Sequence, residues 1–216
     1  MNFKPENITN LILDFGGVIY RIDHYKQIEA FSALGIGNFG MLYSHAIQSS
    51  LFEQFECGQI SPDEMLFELK KLIGKDDLSK EKIYHAWNSI LVGFSDQVVK
   101  LLKDLRTHYN LYLLSNTNSI HYALFIKEFK ENFGLDFDSL FFKTYWSFKI
   151  GLRKPGREIY EFVMKDSRLN PEETLFIDDS PQNVKGAIKS GLPALLLNQG
   201  MTLVEVFDAS LNLKSI

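Results

Sequence analysis

Five short apolar runs constrain this chain more than any other feature of its sequence: residues 11–15, 111–114, 140–142, 174–177 and 194–197. They are close to continuous rather than alternating. A strand with one wet face alternates apolar and polar residues, whereas a strand covered by helices on both faces does not. Helical patterns separate the later runs. Residues 96–108 carry Val98, Val99, Leu101, Leu102 and Leu105 on one side, and residues 119–129, 156–165 and 182–190 follow, the last ending at Gly191 as helices end at a C′ glycine. Strand–helix alternation predicts an α/β fold, a three-layer, doubly wound, Rossmann-like parallel sheet.

The alternation breaks between about Ile22 and Gly93. No strand pattern stands out there, and helical candidates take its place at 26–34, 40–49, 62–73 and 80–91. The third starts behind Ser61 with Glu64 at capping-box spacing, and the fourth behind Ser79. An all-helical cap domain at 22–93 is therefore expected, inserted into a core of 1–21 and 94–216, with hinges at 19–22 and 93–95.

Composition bounds the partners. A formal net charge of −4 over 216 residues supplies no basic field for nucleic acid or a membrane surface. No apolar run is long enough to span a bilayer, and the first residues lack the apolar core of a signal peptide. Cys57 is the single cysteine, so no internal disulfide can form and a cytoplasmic setting is expected. A monomer or a weak homo-oligomer suits this composition.

In an open α/β sheet, ligands bind beyond the carboxyl ends of the strands. The first run ends in Asp14-Phe15-Gly16-Gly17, the second in Ser115-Asn116-Thr117-Asn118 and the fourth in Asp178-Asp179-Ser180-Pro181, while Arg153-Lys154-Pro155 precedes a helix. Each has a plain structural reading. Asp14 suits a turn, the Ser and Asn residues suit N-caps, and Asp-Ser-Pro suits a helix start. A cap, however, needs one acid where two are adjacent, and two cations before a helix N-terminus oppose its dipole. Converging carboxylates call for a cation. All-oxygen ligands favour Mg²⁺, which keeps waters and takes phosphate as a partner. Lys154, a Ser hydroxyl and backbone N–H groups complement phosphoryl oxygens, and an Asp carboxylate beside them can attack phosphorus.

These segments resemble the motifs of the haloacid dehalogenase superfamily, the aspartate-nucleophile phosphohydrolases. Asp14-Phe15-Gly16-Gly17-Val18 resembles the first, Leu114-Ser115-Asn116-Thr117-Asn118 the second, Lys154-Pro155 the third and Phe176-Ile177-Asp178-Asp179-Ser180-Pro181 the fourth. The insert resembles the superfamily's small helical cap, with residues 55–61 as the turn that borders the substrate pocket. The branch most similar is that of the bacterial glucose-1-phosphatases. The resemblance implies a phosphatase for a small phosphorylated metabolite such as a sugar phosphate. Asp14 is then the nucleophile and a metal ligand. The Gly16 carbonyl and Asp179 are further ligands of Mg²⁺, and Asp178 is a ligand or a second acceptor behind it. Ser115 and Asn116 bind the phosphoryl group, Lys154 bridges phosphate and Asp14, and Asn183 orients Lys154 or an acid.

One departure matters. Most phosphatases of the superfamily carry a second Asp where Gly16 stands, and that Asp protonates the leaving oxygen and later activates water. General acid–base catalysis contributes about 10²–10⁴-fold. Three readings follow. The leaving group needs no acid; or Asp23 or His24, at the cap entrance, substitutes; or turnover is lost and the chain is a phosphate-binding or interaction protein. A 2-haloacid dehalogenase also lacks the second Asp, but needs no metal and has no use for the adjacent acids Asp178-Asp179.

Overall fold

Four of the five apolar runs form strands where expected: β1 (Asn10–Leu13), β4 (Asn110–Ser115), β6 (Thr174–Asp178) and β7 (Ala194–Leu196). The computed structural model describes residues 3–37, 39–40 and 50–214. With β5 (Lys143–Trp146), these strands make a five-stranded sheet in the order β5-β4-β1-β6-β7, parallel throughout. The central strand, β1, is buried along its whole length. Its side chains alternate between two apolar layers, as the pleat requires. Leu11 and Leu13 meet Leu111, Leu113, Leu175 and Ile177 on one face. Ile12 meets Tyr112, Leu114 and Phe176 on the other. Helices α5 (Asp96–Leu105) and α6 (Ser119–Phe133) cover the first face, and α8 (Arg157–Asp166) and α9 (Pro181–Lys189) the second, while the one-turn α7 (Ser147–Ile150) follows β5.

The remaining run is a correction. Residues 140–142 are not a strand. Phe137–Leu140 is a 3-10 turn capped by Asp136, whose side chain accepts from the Asp138 N–H, and the strand begins three residues past Leu140, at Lys143. The physical reason lies in the sheet order. β5 is an edge strand, so Lys143 and Thr144 are tolerated in it, while Phe137, Leu140 and Phe141 are buried as packing for the aromatic core.

The segments expected as hinges, 19–22 and 93–95, lie side by side in the fold. They pair as an antiparallel ribbon of β2 (Tyr20–Ile22) and β3 (Leu91–Phe94). Tyr20 packs edge-on against Phe94 at 4.7 Å, and its hydroxyl donates to Glu128 of α6 at 2.7 Å. The described residues between the ribbon strands hold α1 (His24–Ala33), α2 (Leu51–Glu56), α3 (Pro62–Ile73) and α4 (Lys80–Asn88). The capping box before α3 is complete, with Glu64 N–H donating to Ser61 Oγ and Ser61 N–H to the Glu64 carboxylate. The candidate helix at 40–49 lies outside the described residues beyond Gly40. The insert has its own apolar cluster, including Phe31, Phe52, Phe55, Leu69 and Trp87. Ile120 of α6 joins that cluster, which seats the insert on the core. No helix among the described residues is long and apolar enough to cross a membrane.

Candidate active site

Sheet register brings the strand ends together. Leu13 is level with Leu113 on one side and Ile177 on the other, so Asp14 and Asp178 emerge side by side with Ser115 one residue beyond. Lys154 reaches into this edge from the loop before α8. Its Nζ donates to Asp14 Oδ1 and to Asp178 Oδ2, each at 2.6 Å, and the side chain is only 1% exposed. Burial opposes its charge, but the two carboxylates more than offset that and hold the Lys154 pKa above its ordinary value. This resolves the cost of a cation before a helix N-terminus: the ammonium is neutralised by the strand ends.

The three acids differ in what occupies them. Asp178 is fully buried, and both its oxygens are filled. Ser180 N–H, the Asn183 amide and Lys154 all donate to it. Asp14 has Lys154 on one oxygen. Burial pushes its carboxyl up to about 7; Asp178 and Asp179 add to that, against the pull of Lys154. Asp179 opens to solvent, and desolvation followed by the neighbouring Asp178 charge raises its carboxyl above the usual range. One oxygen from each of the three lies within 4.8 Å of the others, which is the spacing of a small-cation site. Gly17 makes room for it. Its φ is +82°, and a Cβ placed there would stand 2.0 Å from Asp179 Oδ2. Gly16 has no such demand, since a Cβ there would lie 3.5 Å from the Ile22 side chain, an ordinary contact.

Ser115 is buried, and its hydroxyl has only a long 3.4 Å contact with the Asn116 carbonyl. The Asn116 carboxamide is committed to the Lys154 backbone, accepting from its N–H at 2.9 Å and donating to its carbonyl at 2.8 Å. That leaves Asn116 a main-chain N–H for any ligand. Asn183 sits where it aligns Asp178, both of whose oxygens accept from its amide at 3.0 Å. Asp23 caps α1, accepting from the N–H groups of Tyr25 and Lys26. His24 is exposed at the first turn of that helix and lines the cleft beside Asp179.

A cavity separates the insert from the strand ends. Gly16, Ser115 and Asn116 line it from the core, and Gln27, Glu56 and Trp87 from the insert. Glu56 belongs to the turn at 55–61 expected to border the pocket, without a role of its own there, and His121, which also lines this cavity, was not singled out. Arg153, beside Lys154, turns the other way and reaches Glu56 at 2.9 Å and Glu53 at 3.9 Å. The signal available in the sequence was the unexplained second cation, not the acids that answer it.

Residues 8–191 match the haloacid dehalogenase-like hydrolase family. The chain is 35% identical to the D-ribitol-5-phosphate phosphatase of Bacteroides thetaiotaomicron over 181 residues, 82% of this chain and 85% of that protein. The crystal structure of a HAD family enzyme from Bacteroides thetaiotaomicron, in complex with magnesium and inorganic phosphate, superposes with a TM-score of 0.83 at 35% identity, covering 93% of this chain and 100% of that one. A HAD-like hydrolase from Porphyromonas gingivalis has a TM-score of 0.80 at 34% identity, over 89% of this chain and 92% of its own. A dehalogenase at 20% identity and a TM-score of 0.61 shares the fold. With the family matched across both the insert and the strand ends that assemble Asp14, Lys154 and Asp178, this chain belongs to the haloacid dehalogenase-like hydrolases.

Proposed function

We propose that the chain is a Mg²⁺-dependent phosphatase that hydrolyses a small phosphorylated sugar or polyol through an aspartyl-phosphate on Asp14. The observation that carries this reading is the buried Lys154 ammonium, fixed 2.6 Å from both Asp14 and Asp178, at strand ends whose neighbouring residues Gly16, Ser115 and Asn116 line a cavity. The donor set fits a hard cation. Asp14 and Asp179 each have an oxygen to give, and the Gly16 carbonyl is the third protein ligand. Asp178, with both oxygens filled, serves Lys154. Bound there, Mg²⁺ supplies positive charge against the phosphoryl oxygens.

The chain's own residues do the rest. Asp14 attacks phosphorus with a carboxylate oxygen. Lys154 keeps that carboxylate in place and offsets the charge that spreads over the phosphoryl oxygens in the transition state. Ser115 Oγ donates to one of those oxygens, and the Asn116 main-chain N–H to another. The Asn116 carboxamide contributes by fixing the Lys154 backbone. A phosphatase 35% identical that is named for a polyol phosphate supports the sugar or polyol reading.

Hydrolysis of para-nitrophenyl phosphate with Mg²⁺, followed by a panel of sugar and polyol phosphates, tests it. Turnover that disappears in Asp14→Asn is the expected result. No turnover on the panel with Mg²⁺ present refutes the proposal, and chloride release from a 2-haloacid without metal would replace it with a dehalogenase.

A further inference from the structure

Gly16 leaves the end of β1 without a proton-transfer group, yet hydrolysis of an alkyl phosphate needs one. Among the described residues, the titratable groups that line the cavity are His24, Glu56 and His121. Asp23, outside that lining, is occupied as a helix cap. His121 has both ring nitrogens engaged: the Asn118 amide donates to Nδ1, and Nε2–H donates to the Trp87 carbonyl. Burial lowers its pKa to about 4, so it holds no exchangeable charge near neutrality. His24 is exposed to solvent. Glu56 is different. It is the last residue of α2 and lines the same cavity as Gly16, Ser115 and Asn116, from the opposite wall. Its Oε2 is inaccessible to solvent and lies 2.9 Å from Arg153 Nη2, which anchors the carboxyl at that wall.

We propose that Glu56 is the acid–base residue of this enzyme, working from the cap in place of the carboxyl that position 16 lacks. This rests on the phosphatase reading above. In the first half-reaction, Asp14 forms its bond to phosphorus as the bond from phosphorus to the leaving oxygen breaks. The electron pair goes to that oxygen, which takes the Glu56 proton. In the second, the Glu56 carboxylate takes a proton from water, whose oxygen attacks phosphorus and releases Asp14. The cycle consumes one water and returns Glu56 protonated.

Two further features suit the role. Burial raises the Glu56 carboxyl above the usual range, and Glu53 adds to this against the pull of Arg153 and Lys154. A general acid works best when its pKa approaches the working pH. The turn that carries Glu56 is also held tightly to the core. Gly58 has φ +65°, and a Cβ there would fall 2.2 Å from the Phe148 carbonyl, so only glycine lets the turn seat this closely. Glu56 therefore enters the site when the cap rests on the core.

Wild type and Asp14→Asn are assayed first; absence of Asp14-dependent turnover would defeat the phosphatase reading rather than this one. Given turnover, Glu56→Gln is expected to lower kcat/KM for a primary alkyl phosphate by about 10²–10⁴-fold. The loss on para-nitrophenyl phosphate is smaller, because nitrophenolate leaves without a proton. The same variant, lacking the base, should release a burst of nitrophenolate equal to the enzyme present. Adding Gly16→Asp, whose Cβ would meet the Ile22 side chain only at an ordinary 3.5 Å, should restore the alkyl phosphate rate. Equal losses on the two leaving groups without a burst, or a rise confined to KM, would overturn the proposal and leave Glu56 as a structural or substrate-contacting residue.

Discussion

The adjacent glycines Gly16 and Gly17 should respond in opposite ways to the same methyl group. In Gly17→Ala the new Cβ falls 2.0 Å from Asp179 Oδ2, and ordinary contact begins at 3.4 Å, so the carboxylate must retreat by about 1.4 Å. Holding a Cβ at φ +82° costs a further 1–2 kcal/mol or so. For a chain of this size that lowers Tm by about 2–8 °C, at roughly 2–4 °C per kcal/mol. The larger effect is on the cation. A metal ligand tolerates about 0.2 Å of error, so Asp179 is lost to the site. Disturbing even an outer partner of a metal ligand costs about 10–100-fold in affinity. Through ligand linkage, the stabilisation that saturating Mg²⁺ gives should shrink by about 1.4–2.7 kcal/mol. Gly16→Ala meets only the Ile22 methyls at 3.5 Å, and its backbone is not left-handed. It should leave stability within about 1 kcal/mol of wild type, with any change on the stabilising side. Thermal unfolding of both variants across a Mg²⁺ titration is the assay. A full Mg²⁺ response in Gly17→Ala, or its loss in Gly16→Ala, would refute the assignment of Asp179 and of the space around it.

Two other outcomes follow from buried charge. Lys154→Met leaves Asp14 and Asp178 buried without their counter-ion, so stability should fall by about 3–5 kcal/mol; calorimetry should show Mg²⁺ recovering more of it than wild type gains, and an unchanged Tm would contradict the bridge. His121 titrates at about 4 in the folded protein against 6.5 ordinarily, so between these values the unfolded chain binds the extra proton. Its contribution is then complete above pH 6.5 and is lost as pH falls towards 4, by up to about 3 kcal/mol at 1.36 kcal/mol per unit. Denaturant melts at pH 5 and 7 should show a flatter pH dependence in His121→Gln; equal slopes would count against it.

What the sequence made legible divides along physical lines. Strands covered on both faces announce themselves, as the wholly buried β1 and β6 do, and β4 and the short edge strand β7 were readable because their runs are apolar. β5, at the edge, was not, since its polar Lys143 and Thr144 hid it behind the more apolar turn at Phe137–Leu140. The ribbon of β2 and β3 was invisible for another reason: Tyr20 pairs with Phe94 across the whole insert, so no local pattern marks it. Side-chain commitments were the least legible. A carboxamide beside a Ser in a strand-end loop suits a ligand, a cap or a backbone clamp equally, and Asn116 turned out to hold Lys154.

The dipeptide Arg153-Lys154 carried more information than its residues taken singly. Two cations before a helix N-terminus are electrostatically misplaced unless acids elsewhere in the chain meet them. Here the acids divide. Lys154 takes Asp14 and Asp178 of the core, and Arg153 takes Glu53 and Glu56 of the insert. One loop thus fastens Asp14 and Asp178 of the sheet on one side and Glu53 and Glu56 of the insert on the other. Loss of the Arg153 contacts on lifting the insert would leave Lys154 and Asp14 in place but withdraw Glu56 from the strand ends. On the role proposed for Glu56, seating of the insert would then be a condition for hydrolysing poor leaving groups, a coupling that a carboxyl at position 16, fixed to the sheet, would not have.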